Sequence, residues 1–170
     1  MMSTTDLNGI RIREYQEKDL SKIEKLARNS FNNDMDVFWA VRNLNRSDKV
    51  FVAEIRNSII GVVEIDIIRL SNGIHSQIGY IFVHRMYWRQ GVGTLLLQTA
   101  LRYLEKRNIA GVWAVTSPEN IAARRLFRKF NFVEFSDKKV LKRFLSSRDI
   151  RKLLRALVYW TGDIILYLKL

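Results

Sequence analysis

The sequence predicts an α/β (α+β) chain in which an antiparallel meander leads into two strand-to-helix units. Three observations carry this. Apolar, β-branched runs at 50–55, 59–70 and 74–83 are separated only by the turn-forming Arg56-Asn57-Ser58 and Ser71-Asn72-Gly73. The stretch Ile78–Leu104 reads as a strand, then a Gly-spaced basic turn, then a helix with Leu97, Ala100, Leu101 and Leu104 on one face. A second transition follows, with Gly111–Thr116 as a short apolar strand before another amphipathic helix.

The flanking elements follow from local pattern. Ile10, Ile12 and Tyr15 mark a first short strand. Asp19 is expected to cap a helix whose apolar face is Leu20, Ile23, Leu26 and Ala27. Residues 29–36 are polar and turn-like, and Val37, Ala40, Val41 and Leu44 make a second helical stripe, with Phe31, Phe38 and Trp39 around the turn. Ser117 as cap and Pro118 at the first position are expected to open the helix that carries Ala123, Leu126, Phe127 and Phe130. Phe132–Phe135 is a further strand. Residues 138–158 read as one or two helices with Val140, Leu141, Phe144, Leu145, Ile150, Leu153, Leu154 and Leu157 inward. Their other face is basic: Lys138, Lys139, Lys142, Arg143, Arg148, Arg151, Lys152 and Arg155. That face could be plainly solvated, could meet RNA, a ribosomal surface or acidic lipid, or could pack on a second subunit in a homodimer. Asp163–Leu170 closes the chain as a strand.

Composition bounds the rest. The 170 residues suit one domain, 1–170, with the basic segment at about 138–158 as an insert before the last strand. The 48% hydrophobic content excludes a disordered chain. With no Cys there is no disulfide, no thiolate metal site and no cysteine nucleophile, and no metal is expected. Residues 1–8 show no apolar leader core, and no run approaches the ~20 apolar residues of a membrane span, so a cytoplasmic protein without a transmembrane segment is expected. The net charge of +12 favours polyanionic partners.

A strand, a Gly-rich turn and a helix N-terminus together make an anion site. Glycines let the backbone approach closely, and the first helical N–H groups lack intrahelical acceptors. A structural turn is the alternative for Gly91-Val92-Gly93 taken alone. In context, Val83–Gly93 resembles the acyl-CoA-binding motif of the GNAT N-acetyltransferase superfamily, Arg/Gln-x-x-Gly-x-Gly/Ala after a strand ending in hydrophobic-Val. Trp88 stands at the first motif position; Gly91 and Gly93 match. A second signature, Asn-x-x-Ala-x-x-Leu-Tyr then Gly-Phe, is resembled by Glu119–Phe132, with Asn120, Ala123 and Leu126 matching, Phe127 in place of Tyr and Asn131 in place of Gly. The element order agrees with that family over nearly the whole chain.

The resemblance implies a GNAT acyl-CoA N-acyltransferase fold, a mixed, mostly antiparallel sheet with splayed central strands. It implies transfer of an acetyl group from acetyl-CoA to a primary amine. The backbone of Ile81, Phe82 and Val83 would pair with the pantetheine arm. The amides of Arg89, Gln90, Gly91, Val92, Gly93 and Thr94 would cradle the pyrophosphate, and Asn120 would bond the arm. The connection between the first two helices would line the acceptor site, which puts Phe31, Phe38 or Trp39 there. The reaction needs a base for the ammonium proton and gains from an acid for the thiolate. Three familiar positions for these groups hold Phe127, Val115 and Gln77. Glu64, which shares a strand face with Asp66, and His75 are the candidate bases; Tyr80 and Tyr167 are candidate acids. The bland alternatives are a solvated strand face, a hairpin-surface His and core tyrosines. Tyr159–Leu166 loosely resembles a segment of protein N-terminal acetyltransferases, which favours a protein or peptide N-terminal amine as acceptor. A small-molecule amine, or a non-catalytic acyl-CoA-binding module engaging nucleic acid or a protein, are the other readings.

Overall fold

The computed structural model describes residues 9–170; the leader reading of 1–8 lies outside the described residues. The strands are β1 (Arg11–Glu14), β2 (Lys49–Ile55), β3 (Ser58–Leu70), β4 (Gly73–Val83), β5 (Gly111–Thr116), β6 (Val133–Phe135) and β7 (Ile164–Lys169). The α-helices are α1 (Leu20–Ser30), α2 (Asp34–Asn43), α3 (Val92–Glu105), α4 (Ile121–Arg128) and α5 (Ser147–Ala156). The strands form one sheet in the order β1-β2-β3-β4-β5-β7-β6. β4 and β5 pair in parallel, whereas β1–β2, β2–β3, β5–β7 and β6–β7 are antiparallel. The β2–β3 hairpin turns on Arg56 (φ 47°) and Asn57 (φ 64°), the left-handed pair that matches strand twist.

The chain divides into two compact units, with β3 and β4 each contributing to both. The first runs to Asp66 and resumes at Tyr80–Tyr103. Ile23, Leu26, Val37, Ala40, Val62 and Phe82 form its buried centre, so the apolar stripes of α1 and α2 meet β3 and β4 there. Gly61 makes room for α3: a Cβ there would sit 2.9 Å from Leu96 Cδ1 and 3.3 Å from the Phe82 carbonyl. Asp19 does not cap α1 through its side chain. Its carboxylate accepts from both Arg13 Nη atoms at 2.7 and 2.9 Å and from the Gln16 amide at 2.9 Å. Arg13 also reaches Glu54 at 2.5 Å. The guanidinium holds the Asp19 carboxyl below its ordinary range.

The second unit is Ile67–Gly79 with Leu104–Leu170. Its centre is Leu70, Trp113, Leu141, Leu145, Leu153 and Ile165. The basic segment forms a 3-10 turn over Lys138–Arg143 and then α5. Phe144, expected inward, is 57% exposed. The turn ends at that residue (φ −122°), which swings its side chain away from the inward face. Asp149, only 5% exposed, anchors α5. It accepts from the Ser71 amide at 3.1 Å, from Ser146 Oγ at 2.8 Å and from Ser71 Oγ. Ser117 does not cap α4. The helix begins at Ile121, and Asn120 is the cap, its Oδ1 accepting from Ala123 N at 3.1 Å.

Helix α5 ends in a Schellman arrangement, with Tyr159 N donating to Leu154 O and Val158 N to Arg155 O. The left-handed residue is Val158, at φ 52° and 67% exposed. A β-branched residue is strained there. Val158→Gly is expected to stabilise the chain by about 1 kcal/mol and raise Tm by about 2–4 °C in a thermal melt; an unchanged or lower Tm would refute the strain.

Candidate active site

The Gly turn and the acidic cluster both belong to the first unit. After β4, His84 Nδ1 accepts from Met86 N at 3.2 Å and opens a 3-10 turn over Arg85–Tyr87. Trp88 Nε1 then donates to the Val83 carbonyl at 2.7 Å, and Gln90 Nε2 to Met86 O at 2.7 Å. The chain reaches α3 through two left-handed residues, Arg89 (φ 62°) and Gly91 (φ 84°). The first α3 hydrogen bond runs from Leu95 N to Gly91 O at 2.9 Å. By helix geometry the N–H groups of Val92, Gly93 and Thr94 have no acceptor within the helix. These amides and the positive helix end suit a phosphate, and exposed Arg89 adds a cation to the same loop. Ser30 Oγ lies 3.2 Å from the same Val83 carbonyl, but its single proton has a nearer acceptor in the Leu26 carbonyl at 2.8 Å.

Glu64 is the unusual residue. It sits in the apolar run Val62-Val63-Glu64-Ile65, opposite Val50 of β2, and is 0% exposed. Among the described residues, neither carboxylate oxygen has a hydrogen-bond partner. The solvated-face alternative is thus wrong for Glu64: with a period of two it shares the face of Val62, which lies in the α1–α2 core. Burial, and secondarily the charge of Asp66, push its pKa well above the ordinary carboxylate value. Tyr80, on β4, is pushed up to about 12, by burial first and then by Asp36 and Glu64. Its hydroxyl therefore stays protonated at working pH. It lies 3.5 Å from Asp36 Oδ1. Phe31 stands edge-on to Tyr80, with centroids 5.7 Å apart, and tilted on Phe82 at 5.1 Å. Phe38 and Trp39 are instead half-exposed on α2, with Arg42 over both rings.

Asp36 was not singled out by sequence. It is set by the Asn33 cap, whose Oδ1 accepts from Asp36 N at 2.8 Å while Nδ2 donates to Asp36 Oδ2 at 2.6 Å. The Asn33-x-x-Asp36 spacing was the available signal. A shallow groove of about 500 Å³ on α1 and α2, lined by Glu24, Arg28, Phe38 and Arg42 among others, includes none of these acidic-cluster residues.

The remaining candidates lie in the second unit. His75 is 2% exposed, not a hairpin-surface residue. Its Nδ1 accepts from Trp113 Nε1 at 3.0 Å, which leaves Nε2–H to donate to Asn72 Oδ1 at 3.0 Å. Both ring nitrogens are committed, and burial lowers its pKa. No lone pair is left for an amine proton. Tyr167 packs on Trp113 at 4.2 Å and across Gly111, where a Cβ would meet its ring at 2.4 Å. Phe127 is buried edge-on to Phe132. Asn120 spends its Oδ1 on capping, which leaves its amide N–H groups as donors. Asn131 has φ 63°, the left-handed conformation that Gly would serve. Among the described residues, no three His, Asp, Glu or Cys side chains are placed to hold a metal ion, and no helix is long and apolar enough to cross a membrane.

A mixed sheet with a strand–turn–helix whose first helical amides are free within the helix suits an acyl-CoA-dependent N-acyltransferase. The pattern of the Acetyltransferase (GNAT) family matches residues 11–132, and the chain belongs to that family of enzymes. Solved structures agree in fold. The PaiA N-acetyltransferase of Thermoplasma acidophilum, in complex with coenzyme A, is 17% identical at TM-score 0.70, covering 95% of this chain and 99% of its own. The ribosomal-protein-S18-alanine N-acetyltransferase of Escherichia coli is 19% identical at TM-score 0.69, covering 94% and 93%. A chain of the NatC complex bound to Gag peptide and CoA is 17% identical at TM-score 0.70, covering 95% and 98%. A search of the curated proteins finds no match.

Proposed function

We propose that the protein, acting as one domain over 1–170, moves the acetyl group of acetyl-CoA to a primary amine, first a protein or peptide N-terminal amine. The observation that carries the mechanism is Glu64, a buried carboxylate with a raised pKa and no hydrogen-bond partner among the described residues. A carboxylate with a raised pKa is a stronger base than an ordinary one, and an incoming ammonium would supply both the missing countercharge and the proton. Glu64 takes that proton, directly or through water. The neutral amine attacks the thioester carbon, the C–S bond breaks, and the proton that the attacking nitrogen sheds as it becomes the amide passes to the departing thiolate, to which the protonated Tyr80 hydroxyl can donate a hydrogen bond. His75 serves the fold instead. The amides from Val92 to Thr94, with Arg89, would hold the pyrophosphate. The acceptor class draws support from two neighbours, the E. coli ribosomal-protein-S18-alanine N-acetyltransferase and the NatC complex bound to Gag peptide and CoA.

The test is release of free CoA, followed with a thiol reagent, from acetyl-CoA and a panel of N-terminal peptides, Lys peptides and small amines. The protein has no Cys and adds no background. Release with N-terminal peptides alone is expected. Release only with small amines would overturn the acceptor, and none with any acceptor the activity.

A further inference from the structure

We propose that the outward face of α5 and the basic turn before it bind single-stranded RNA. The inference is independent of acyl transfer and rests on residues of the second unit.

Arg148, Arg151, Lys152 and Arg155 are spaced i, i+3, i+4, i+7, so they form one line along α5, and all four are exposed. The line is about 10 Å long at the helical rise. Lys138, Lys139, Lys142 and Arg143 of the preceding turn are exposed as well. The only acid between 138 and 155 is Asp149, and it is turned inward onto Ser71 and Ser146. Among the described residues none of these eight cations is in an ion pair. Lys152 Nζ reaches only the Arg69 carbonyl, and Lys138 lies over the Tyr159 ring. Like charges at i, i+3 and i+4 weaken a helix, and Asp149, the segment's one acid and near enough to feel Lys152, offsets only part of that repulsion. A polyanion would offset the rest.

The nature of the polyanion follows from the other face. An amphipathic helix binds a bilayer by sinking its apolar side into it. Here that side is already spent: Leu153 is 0% and Leu157 6% exposed, packed with Leu141, Trp113 and Ile165. Only the charged side is offered, which suits a phosphate backbone better than lipid. Two aromatic rings stand exposed on either side of α5 in sequence, Phe144 at 57% and Trp160 at 73%. Free rings beside a cationic track are what unpaired bases stack on, whereas a duplex has no free base faces to offer. The strand would lay phosphates along the arginine line and a base on Trp160.

The experiment measures fluorescence anisotropy of a labelled oligouridine of about fifteen nucleotides across a salt series. Four phosphate contacts predict a log–log slope near about −3. Arg148→Ser/Arg151→Ser/Lys152→Ser/Arg155→Ser should weaken binding by at least about tenfold at low salt and flatten the slope. Its far-UV circular dichroism should show the fold retained, because the replaced side chains are exposed. Trp160→Ala should weaken binding several-fold and leave the slope unchanged. Salt-independent binding, no binding, or full binding by the four-site variant would overturn the proposal. So would tighter association with vesicles of about one-quarter phosphatidylserine in phosphatidylcholine than with RNA. Equal affinity for duplex RNA together with a neutral Trp160→Ala would overturn the single-stranded assignment.

Discussion

Glu64→Gln is expected to lower kcat by at least about 100-fold at neutral pH, with a small change in KM for acetyl-CoA. The amide keeps the shape of the side chain and cannot take a proton. In the wild type, kcat should rise with pH through the raised Glu64 pKa, because the base works only when ionised. In the variant that rise should vanish. Stability should move the opposite way. A carboxyl whose pKa is higher folded than unfolded costs stability once it ionises. The cost is absent below its unfolded value of about 4.3, grows as pH rises through the folded value, and is full above it; each unit of difference is about 1.4 kcal/mol. Glu64→Gln should therefore melt at higher temperature than the wild type at pH 8, and the two should converge near pH 4. A variant that keeps its kcat, or that melts lower at pH 8, would show that Glu64 is not the base or is not buried unpaired. A buried carboxylate that harms stability is the expected mark of a group kept for its chemistry.

Gly91→Glu is expected to weaken acetyl-CoA binding by at least about 100-fold in calorimetry, while Gly91→Ala weakens it about tenfold. Two causes separate the variants. At φ 84° any Cβ is strained by about 1–2 kcal/mol, and the turn relaxes by moving the amides of the α3 entry. Glu then adds a negative charge where pyrophosphate should sit. Far-UV circular dichroism should show the fold intact in both, since Gly91 is exposed. Equal binding by wild type and Gly91→Glu would remove the anion site from the α3 entry.

Elements whose signal is local were readable. The meander, the Gly turn and the order of helices follow from patterns a few residues long, and Asn131 was legible because Asn tolerates the left-handed region as Gly does. The two misplaced caps share a cause: a second group nearby competed for the same partner. Asp19 has the place of a cap, but Arg13, six residues back, takes its carboxylate. Ser117 precedes a Pro, yet Asn120 holds the Ala123 amide. Of the two proposed bases, alternation put Glu64 and His75 on strand faces but could not say what covers them. Whether a strand face is wet depends on helices placed by other parts of the chain. Phe31 reached Tyr80, and Trp113 reached His75, across separations that periodicity does not see.

The two margins of the sheet bear on how copies of this chain meet. β1 and β6 are the outermost strands, of four and three residues. Each is fenced with charge: Arg13 is held by Asp19 and Glu54, Glu14 by Lys49, and Glu134 by Arg124 and Arg128. A short, ionised margin is a poor template for a further strand, because an incoming chain would gain few ladder hydrogen bonds and bury charges in exchange. Among the described residues, neither margin therefore favours self-association by sheet extension, the common route to both accidental fibres and strand-swapped pairs. Concentrated preparations should fail by exposure of the cores on unfolding, not by growth from the folded edge.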